Sequence, residues 1–182
     1  MRPTKELSRL IDAAVAAREN AYCPYSRYPV GAAVLSGAGK IFTGCNVENA
    51  SFGLSLCAER AAVFNAVSQA HKTIKAVCVA ARSPKPCGAC RQVVYEFSTK
   101  ESRFYLVDLD VNARSRRVRE IAVHKLLPAA FDPFEAQLLH EHTKYQSTGR
   151  AQGRPRRRRR SARLAARGRR ARTAAARRRR RM

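Results

Sequence analysis

Two short motifs contain the residue types that can bind a metal ion and move protons: Cys57-Ala58-Glu59-Arg60 and, thirty residues on, Pro86-Cys87-Gly88-Ala89-Cys90-Arg91. Apolar residues follow each at helical spacing (Ala61, Ala62, Phe64 and Val67 after the first; Val93, Val94 and Phe97 after the second). Each motif is therefore predicted to form the first turn of a helix just after a chain break. Cys87 and Cys90 lie three apart on one helix face, so both sulfurs can reach one ion. A third thiolate from Cys57 leaves one tetrahedral position of Zn2+ for water, the arrangement of a catalytic zinc site. Glu59 stands at the same helix end, in position to handle that water's protons.

Elements that could hold these motifs can be read along the chain. Thr4 can cap a helix to about Asn20 with Leu7, Leu10, Ile11 and Ala14 on one face. Ala21–Pro29 is an aromatic, proline-bearing loop. Val30–Leu35 and Lys40–Val47 are predicted strands joined by the hairpin signal Ser36-Gly37-Ala38-Gly39. Glu48–Leu56 is a predicted loop, and the Cys57 helix runs to about Gln69. Ile74–Ala81 suits a buried strand, the Cys87 helix reaches about Phe97, and Phe104–Val107 reads as a further strand. Val118–Val123 is a candidate fifth strand beyond the polar Asp108–Arg117, and Asp132–His140 a short final helix. This alternation predicts a three-layer α/β/α domain on a mixed five-stranded sheet.

Composition splits the chain in two. The chain carries a net charge of +24, and seventeen of its arginines fall in residues 149–182, which have no lysine, acid or aromatic. Residues 1–148 hold twenty basic and thirteen acidic residues, enough sequence for one compact domain. The 149–182 segment has little to bury against its chain entropy and is expected to be disordered. No apolar stretch is long enough to span a bilayer, and Met1–Asn20 lacks the apolar run of a secretory signal, so a cytoplasmic protein is expected. Six cysteines are an even number, but without an export signal metal and free thiols are favoured over disulfides. Cys23, Cys45 and Cys78 read as ordinary buried thiols. His71, His124, His140 and His142 lie outside any H-x-E pattern and read as surface residues, with packing near an interface a second reading for His124.

The three cysteines with a non-ligand glutamate form an already described signature of zinc-dependent nucleobase deaminases. From about Leu7 to Leu139 the chain resembles the homotetrameric cytidine deaminases. The matching stretches are Cys23-Pro24-Tyr25-Ser26, Pro29-Val30-Gly31-Ala32-Ala33, Gly44-Cys45-Asn46-Val47-Glu48-Asn49-Ala50, Cys57-Ala58-Glu59-Arg60, Pro86-Cys87-Gly88-Ala89-Cys90-Arg91-Gln92, and Leu126-Leu127-Pro128 with Phe131. The resemblance implies zinc ligands at Cys57, Cys87 and Cys90, and Glu59 as both general base and general acid. It implies ribose contacts at Asn46 and Glu48, which would otherwise read as a polar loop. A base pocket is implied from the backbone at Ala58, from Tyr28, and from Phe131 reaching a neighbouring subunit. Tyr28 stands where phenylalanine is usual in that family, and Phe52, also near the substrate, where tyrosine is usual. The Arg82–Pro86 loop is shorter than common. Arg60 beside the sulfurs can draw off the charge of three thiolates; its other reading is a solvated surface arginine.

The implied reaction is hydrolytic deamination of cytidine and deoxycytidine, a step of pyrimidine salvage, by a zinc-dependent homotetramer. Two rivals stand beside it: a three-cysteine zinc deaminase of another cytosine nucleoside, of the blasticidin type, and an enzyme that edits or binds nucleic acid through its arginines. Seventeen arginines can bind phosphates strongly and non-specifically, yet the segment lacks the aromatics used to stack single-stranded bases. A third account makes residues 149–182 an appendage, since arginine without lysine among alanine, glycine and proline is what an out-of-frame reading of GC-rich DNA yields.

Overall fold

A computed structural model describes residues 4–110, 115–132 and 136. The expected tail 149–182 and nearly all of the expected helix Asp132–His140 lie outside the described residues, as do His140 and His142. Thr4 caps α1 (Lys5–Arg18), its hydroxyl oxygen accepting from the Leu7 N–H at 3.2 Å. β1 (Gly31–Ser36) and β2 (Ile41–Cys45) form the expected hairpin. After a 3-10 turn at Phe52–Leu54 come α2 (Ala58–Ser68), β3 (Ile74–Ala81), α3 (Gly88–Glu96), β4 (Ser98–Leu109) and β5 (Arg116–Ala122). The sheet order is β2-β1-β3-β4-β5, with β3 and β4 parallel and every other pair antiparallel.

Alternation along the strands builds the layers, because successive side chains point to opposite faces. Ala33, Leu35, Cys78, Val107 and Leu109 pack with Leu10, Ile11 and Ala14 of α1. Ala32, Val34, Val77, Val79 and Phe104 pack on the other face with Ala62, Val63 and Ala66 of α2 and Val94 of α3. The fold is thus the three-layer α/β/α arrangement on a mixed five-stranded sheet, with β1 buried along its whole length. Two glycines set the layer spacing. A Cβ on Gly31 would lie 2.1 Å from the Ala14 carbonyl oxygen of α1, and one on Gly44 would lie 2.4 Å from the Ala62 nitrogen of α2. Both helices press directly on the sheet at these points.

Four expectations are corrected. β4 is much longer than Phe104–Val107, because Ser102 repairs the ladder where its register with β3 slips between Ile74 and Ala76. The Ser102 hydroxyl donates to the Ile74 carbonyl at 2.6 Å and accepts from the Thr99 N–H at 2.8 Å, so a polar run can continue as strand. β5 begins at Arg116 and ends before Val123, which starts a 3-10 turn through Lys125. His71 is half-buried, its ring 4.9 Å from that of Phe42, while His124 is exposed. Of the three thiols expected to be buried only Cys78 is; Cys23, in a loop, and Cys45, on the sheet-edge strand β2, are half-buried. Among the described residues no helix is long and apolar enough to cross a membrane.

Candidate active site

The N-termini of α2 and α3 meet beside the start of β1 and the end of β3, and the residue capping each helix is a cysteine: Cys57 for α2 and Cys87 for α3. The Cys87 sulfur accepts from the Cys90 N–H at 3.4 Å, which folds the second motif back on itself. The Cys57 and Cys87 sulfurs are 3.8 Å apart, those of Cys87 and Cys90 are 3.4 Å apart, and all three lie within 4.8 Å of one another. Sulfurs bound at about 2.3 Å to a tetrahedral zinc sit about 3.8 Å apart, so the cluster has the size and donor chemistry for that ion. A hydrogen bond from the Cys90 thiol pulls Cys57 down to about 5, with Arg60 adding to the effect, and the same pairing together with burial pushes Cys90 up.

Arg60 lies on the next layer. Its Nη2 group donates to the Ser55 carbonyl at 3.2 Å and reaches the Cys57 sulfur at 3.9 Å, while its buried Nε–H has no partner among the described residues. A guanidinium so placed neutralises thiolate charge without competing for the ion, which argues against a solvated surface role. Glu59 is 4 % exposed, and burial pushes its carboxyl up to about 7, the negative charge of Cys57 adding to the rise.

A cavity of about 300 Å3 opens over this cluster. Cys57, Ala58, Glu59 and Cys87 line it, together with Ser26, Tyr28, Asn46 and Glu48 and with Val79, Pro84 and Lys85. Asn46 is held rigidly: its Oδ1 accepts from the Val30 N–H at 2.8 Å and its Nδ2 donates to the Tyr28 carbonyl at 3.0 Å. One donor and one acceptor of the amide remain for a ligand. The Glu48 carboxylate accepts from the Tyr25 N–H at 2.9 Å, from the Ser26 N–H at 3.2 Å and from the Ser26 hydroxyl. These bonds, that from the Ser26 hydroxyl first, hold its carboxyl below the usual range. Tyr28 donates its phenol to the Arg82 carbonyl at 2.5 Å, and burial raises its pKa.

The fold therefore brings Tyr28, Asn46, Glu48, Cys57, Ala58, Glu59 and Cys87 around one cavity, with Cys90 and Arg60 behind the sulfurs. It does not bring in Phe52 or Phe131. Phe52 is 73 % exposed and meets Tyr25 edge-on at 5.6 Å, beside an adjoining hollow of about 400 Å3 that shares Ser26 and Glu48. Phe131 is 58 % exposed, and its carbonyl accepts from the Gln92 side chain at 2.9 Å. Sequence reasoning missed Ser26, Pro84 and Lys85. Ser26 ends the quoted Cys23–Ser26 stretch, and the other two lie in the loop marked only by its length.

Comparison with known proteins agrees with this geometry. Residues 4–106, more than half of the chain, match the family described as the cytidine and deoxycytidylate deaminase zinc-binding region. The chain is 46% identical over 125 residues to the cytidine deaminase of Halalkalibacterium halodurans, covering 67% of this chain and 91% of the relative. It is 45% identical over 131 residues to the probable cytidine deaminase of Dictyostelium discoideum, covering 70% and 84%. The crystal structure of cytidine deaminase from Burkholderia pseudomallei superposes with a TM-score of 0.63 at 42% identity, covering 71% of this chain and 100% of that one. That from Mycobacterium tuberculosis gives a TM-score of 0.57 at 39% identity, covering 69% and 96%. The chain belongs to the cytidine and deoxycytidylate deaminase zinc-binding family, hydrolytic deaminases with Zn2+ as their cofactor.

Proposed function

We propose that the chain converts cytidine and deoxycytidine to uridine and deoxyuridine with release of ammonia, in cytoplasmic pyrimidine salvage. One observation carries the reading: three convergent sulfurs, two of them lining a cavity, lie beside a buried carboxyl and two pre-oriented polar side chains in that same cavity. Cys57, Cys87 and Cys90 would hold the zinc, with Arg60 balancing their charge. When bound, Zn2+ acidifies water, so that a nucleophilic hydroxide is available at neutral pH. Glu59 takes the proton released by that water and passes it to ring N3. Once the oxygen is bonded to C4, Glu59 takes the second proton from that new hydroxyl and delivers it to the amine, so the C4–N bond breaks as C4=O forms, ammonia leaves, and one carboxylate serves as base and acid. The backbone at Ala58 and the ring of Tyr28 border the base, while Asn46 and Glu48 take the ribose hydroxyls. At about 300 Å3 the cavity is at the small end for ligand sites, which suits a free nucleoside rather than a polynucleotide. The anionic Glu48 also disfavours a substrate that brings a phosphate to this rim.

Two further parts of the reading concern the whole molecule. Phe52 and Phe131 serve substrate sites of neighbouring copies in a homotetramer; their exposure in the single chain supports this. Residues 1–148 form the catalytic domain, and residues 149–182 bind nucleic acid non-specifically through their seventeen arginines without contributing to turnover. The deciding experiment measures turnover of cytidine, deoxycytidine, blasticidin-type nucleosides and cytosine-containing oligonucleotides by full-length protein. Turnover confined to oligonucleotides, or to the blasticidin type, would overturn the nucleoside assignment.

A further inference from the structure

The connection between β3 and α3, Arg82–Pro86, is short and internally strained. Ser83 has a φ of +50°, the left-handed region that a residue with a Cβ adopts only when its surroundings impose it. Two side chains from distant parts of the chain supply that constraint. On one side the Tyr28 phenol donates to the Arg82 carbonyl at 2.5 Å. On the other, Oδ1 of Asp108, near the end of β4, accepts from the Ser83 N–H at 2.7 Å. The next residues, Pro84 and Lys85, form a wall of the catalytic cavity, and Cys87 caps α3 directly after them. Tyr28 is itself fixed at both backbone groups: its N–H donates to the Ser26 hydroxyl at 3.1 Å and its carbonyl accepts from Asn46 at 3.0 Å.

We propose that the Tyr28 hydroxyl and the Asp108 carboxylate together latch the Arg82–Pro86 connection, fixing the Pro84–Lys85 wall and setting how tightly the cavity holds its substrate. The inference rests on the proposed nucleoside reading for its substrate. Both are positioning residues, acting through the loop rather than on the reacting atoms. Arg82 and Ser83 are exposed, so water can replace a lost partner and the wall loosens rather than collapses. The bond to Arg82 needs only the hydroxyl, so Tyr28→Phe removes the latch and keeps the ring that borders the cavity.

Two readouts on the zinc-loaded full-length enzyme test the latch. In steady-state assays with cytidine, Tyr28→Phe should raise KM about twofold to tenfold, the range expected for one modest hydrogen bond, with kcat changed less than about twofold. Asp108→Ala should do the same, and Asp108→Asn, which keeps an acceptor, should fall nearer the wild type. Because both side chains hold one loop, the double variant should show no larger KM than the weaker-binding single variant. A direct contact of the hydroxyl with substrate would instead make the two effects multiply. The second readout needs no substrate: trypsin can cut after Arg82 but not before Pro86, so the fragment ending at Arg82 reports loop opening. Cleavage there should accelerate in both single variants at unchanged zinc content. Multiplying KM effects, or cleavage at wild-type rates in Tyr28→Phe and Asp108→Ala, would overturn the latch. A wild-type enzyme inert toward cytidine would defeat the nucleoside reading, and the cleavage assay would still decide the latch.

Discussion

Glu59 is the residue whose neighbours leave it least freedom: it follows the cap of α2, is almost wholly buried, and shares its cavity with two of the cysteines. Glu59→Gln keeps the shape of the carboxyl and cannot move protons. The variant should keep its zinc and its melting temperature while kcat for cytidine falls by about 10^2 to 10^4, checked by steady-state kinetics beside metal analysis. Cys87→Ala should behave differently and lose zinc outright, since it removes both a sulfur and the cap of α3; undiminished metal content would exclude the three-cysteine site. Cys78 provides a control of opposite character. It is fully buried beneath α1, and burial pushes its thiol up to about 12. Alkylation of the zinc-stripped native protein at neutral pH, read by mass spectrometry, should modify Cys57 and Cys87 and leave Cys78 intact. The chemistry was legible at this scale because metal ligation needs fixed residue types at fixed spacing. Ser26 was not, because a serine that only orients a carboxylate and a backbone N–H carries no type or spacing of its own.

At the scale of elements, the site depends on how closely α2 sits on the sheet, because the first turn of α2 carries Cys57 and Glu59. Gly44 permits that approach: a Cβ there would meet the Ala62 nitrogen at 2.4 Å and the Ala58 oxygen at 2.8 Å, both backbone atoms that cannot step aside. Gly44→Ala should lever the helix outward and cost about 1–3 kcal/mol of stability, as overpacking does. The melting temperature, measured by circular dichroism, should fall, and zinc should be released faster to a chelator. Gly37→Ala is the matched control, since its Cβ would come no nearer than 3.3 Å to the Thr73 side chain and 3.7 Å to the Thr73 carbonyl oxygen. Equal melting temperatures for the two variants would show that the close approach does not carry the site. Elements with a continuous apolar pattern, such as Ile74–Ala81, were legible to the residue. The first half of β4 was not, because Ser98–Arg103 is polar and its ladder with β3 skips from Ser98 to Arg103, the gap spanned by the Ser102 hydroxyl bonding across to Ile74. No periodicity announces such a bond.

At the scale of the molecule, charge and exposed aromatic surface are unevenly placed. Tyr22, Tyr25, Phe52, Leu54, Phe64 and Phe131 are all large apolar residues at least 44 % exposed in the single chain, more than isolated surface apolar residues need. In the homotetramer proposed above they become contact surface, and Phe52 and Phe131 reach sites that one chain leaves incomplete. In the sequence only the family resemblance pointed Phe131 at a neighbouring copy, because an aromatic beside a motif reads the same whether it faces its own cavity or a neighbour's. The arginines pose the opposite case, where charge is fully visible and needs no geometry. Seventeen of them in residues 149–182, against a net of about +7 in the rest, predict binding to any polyanion by counterion release. Protein ending at Thr148 should therefore sediment as the same tetramer and turn over cytidine at the full-length rate, because every residue assigned to the site lies between Ser26 and Phe131. Full-length protein alone should retard oligonucleotides, with an apparent affinity that falls by orders of magnitude between about 50 and 200 mM salt. A truncated chain that loses turnover, or binding that ignores salt, would mean that residues 149–182 act through defined contacts rather than through charge density.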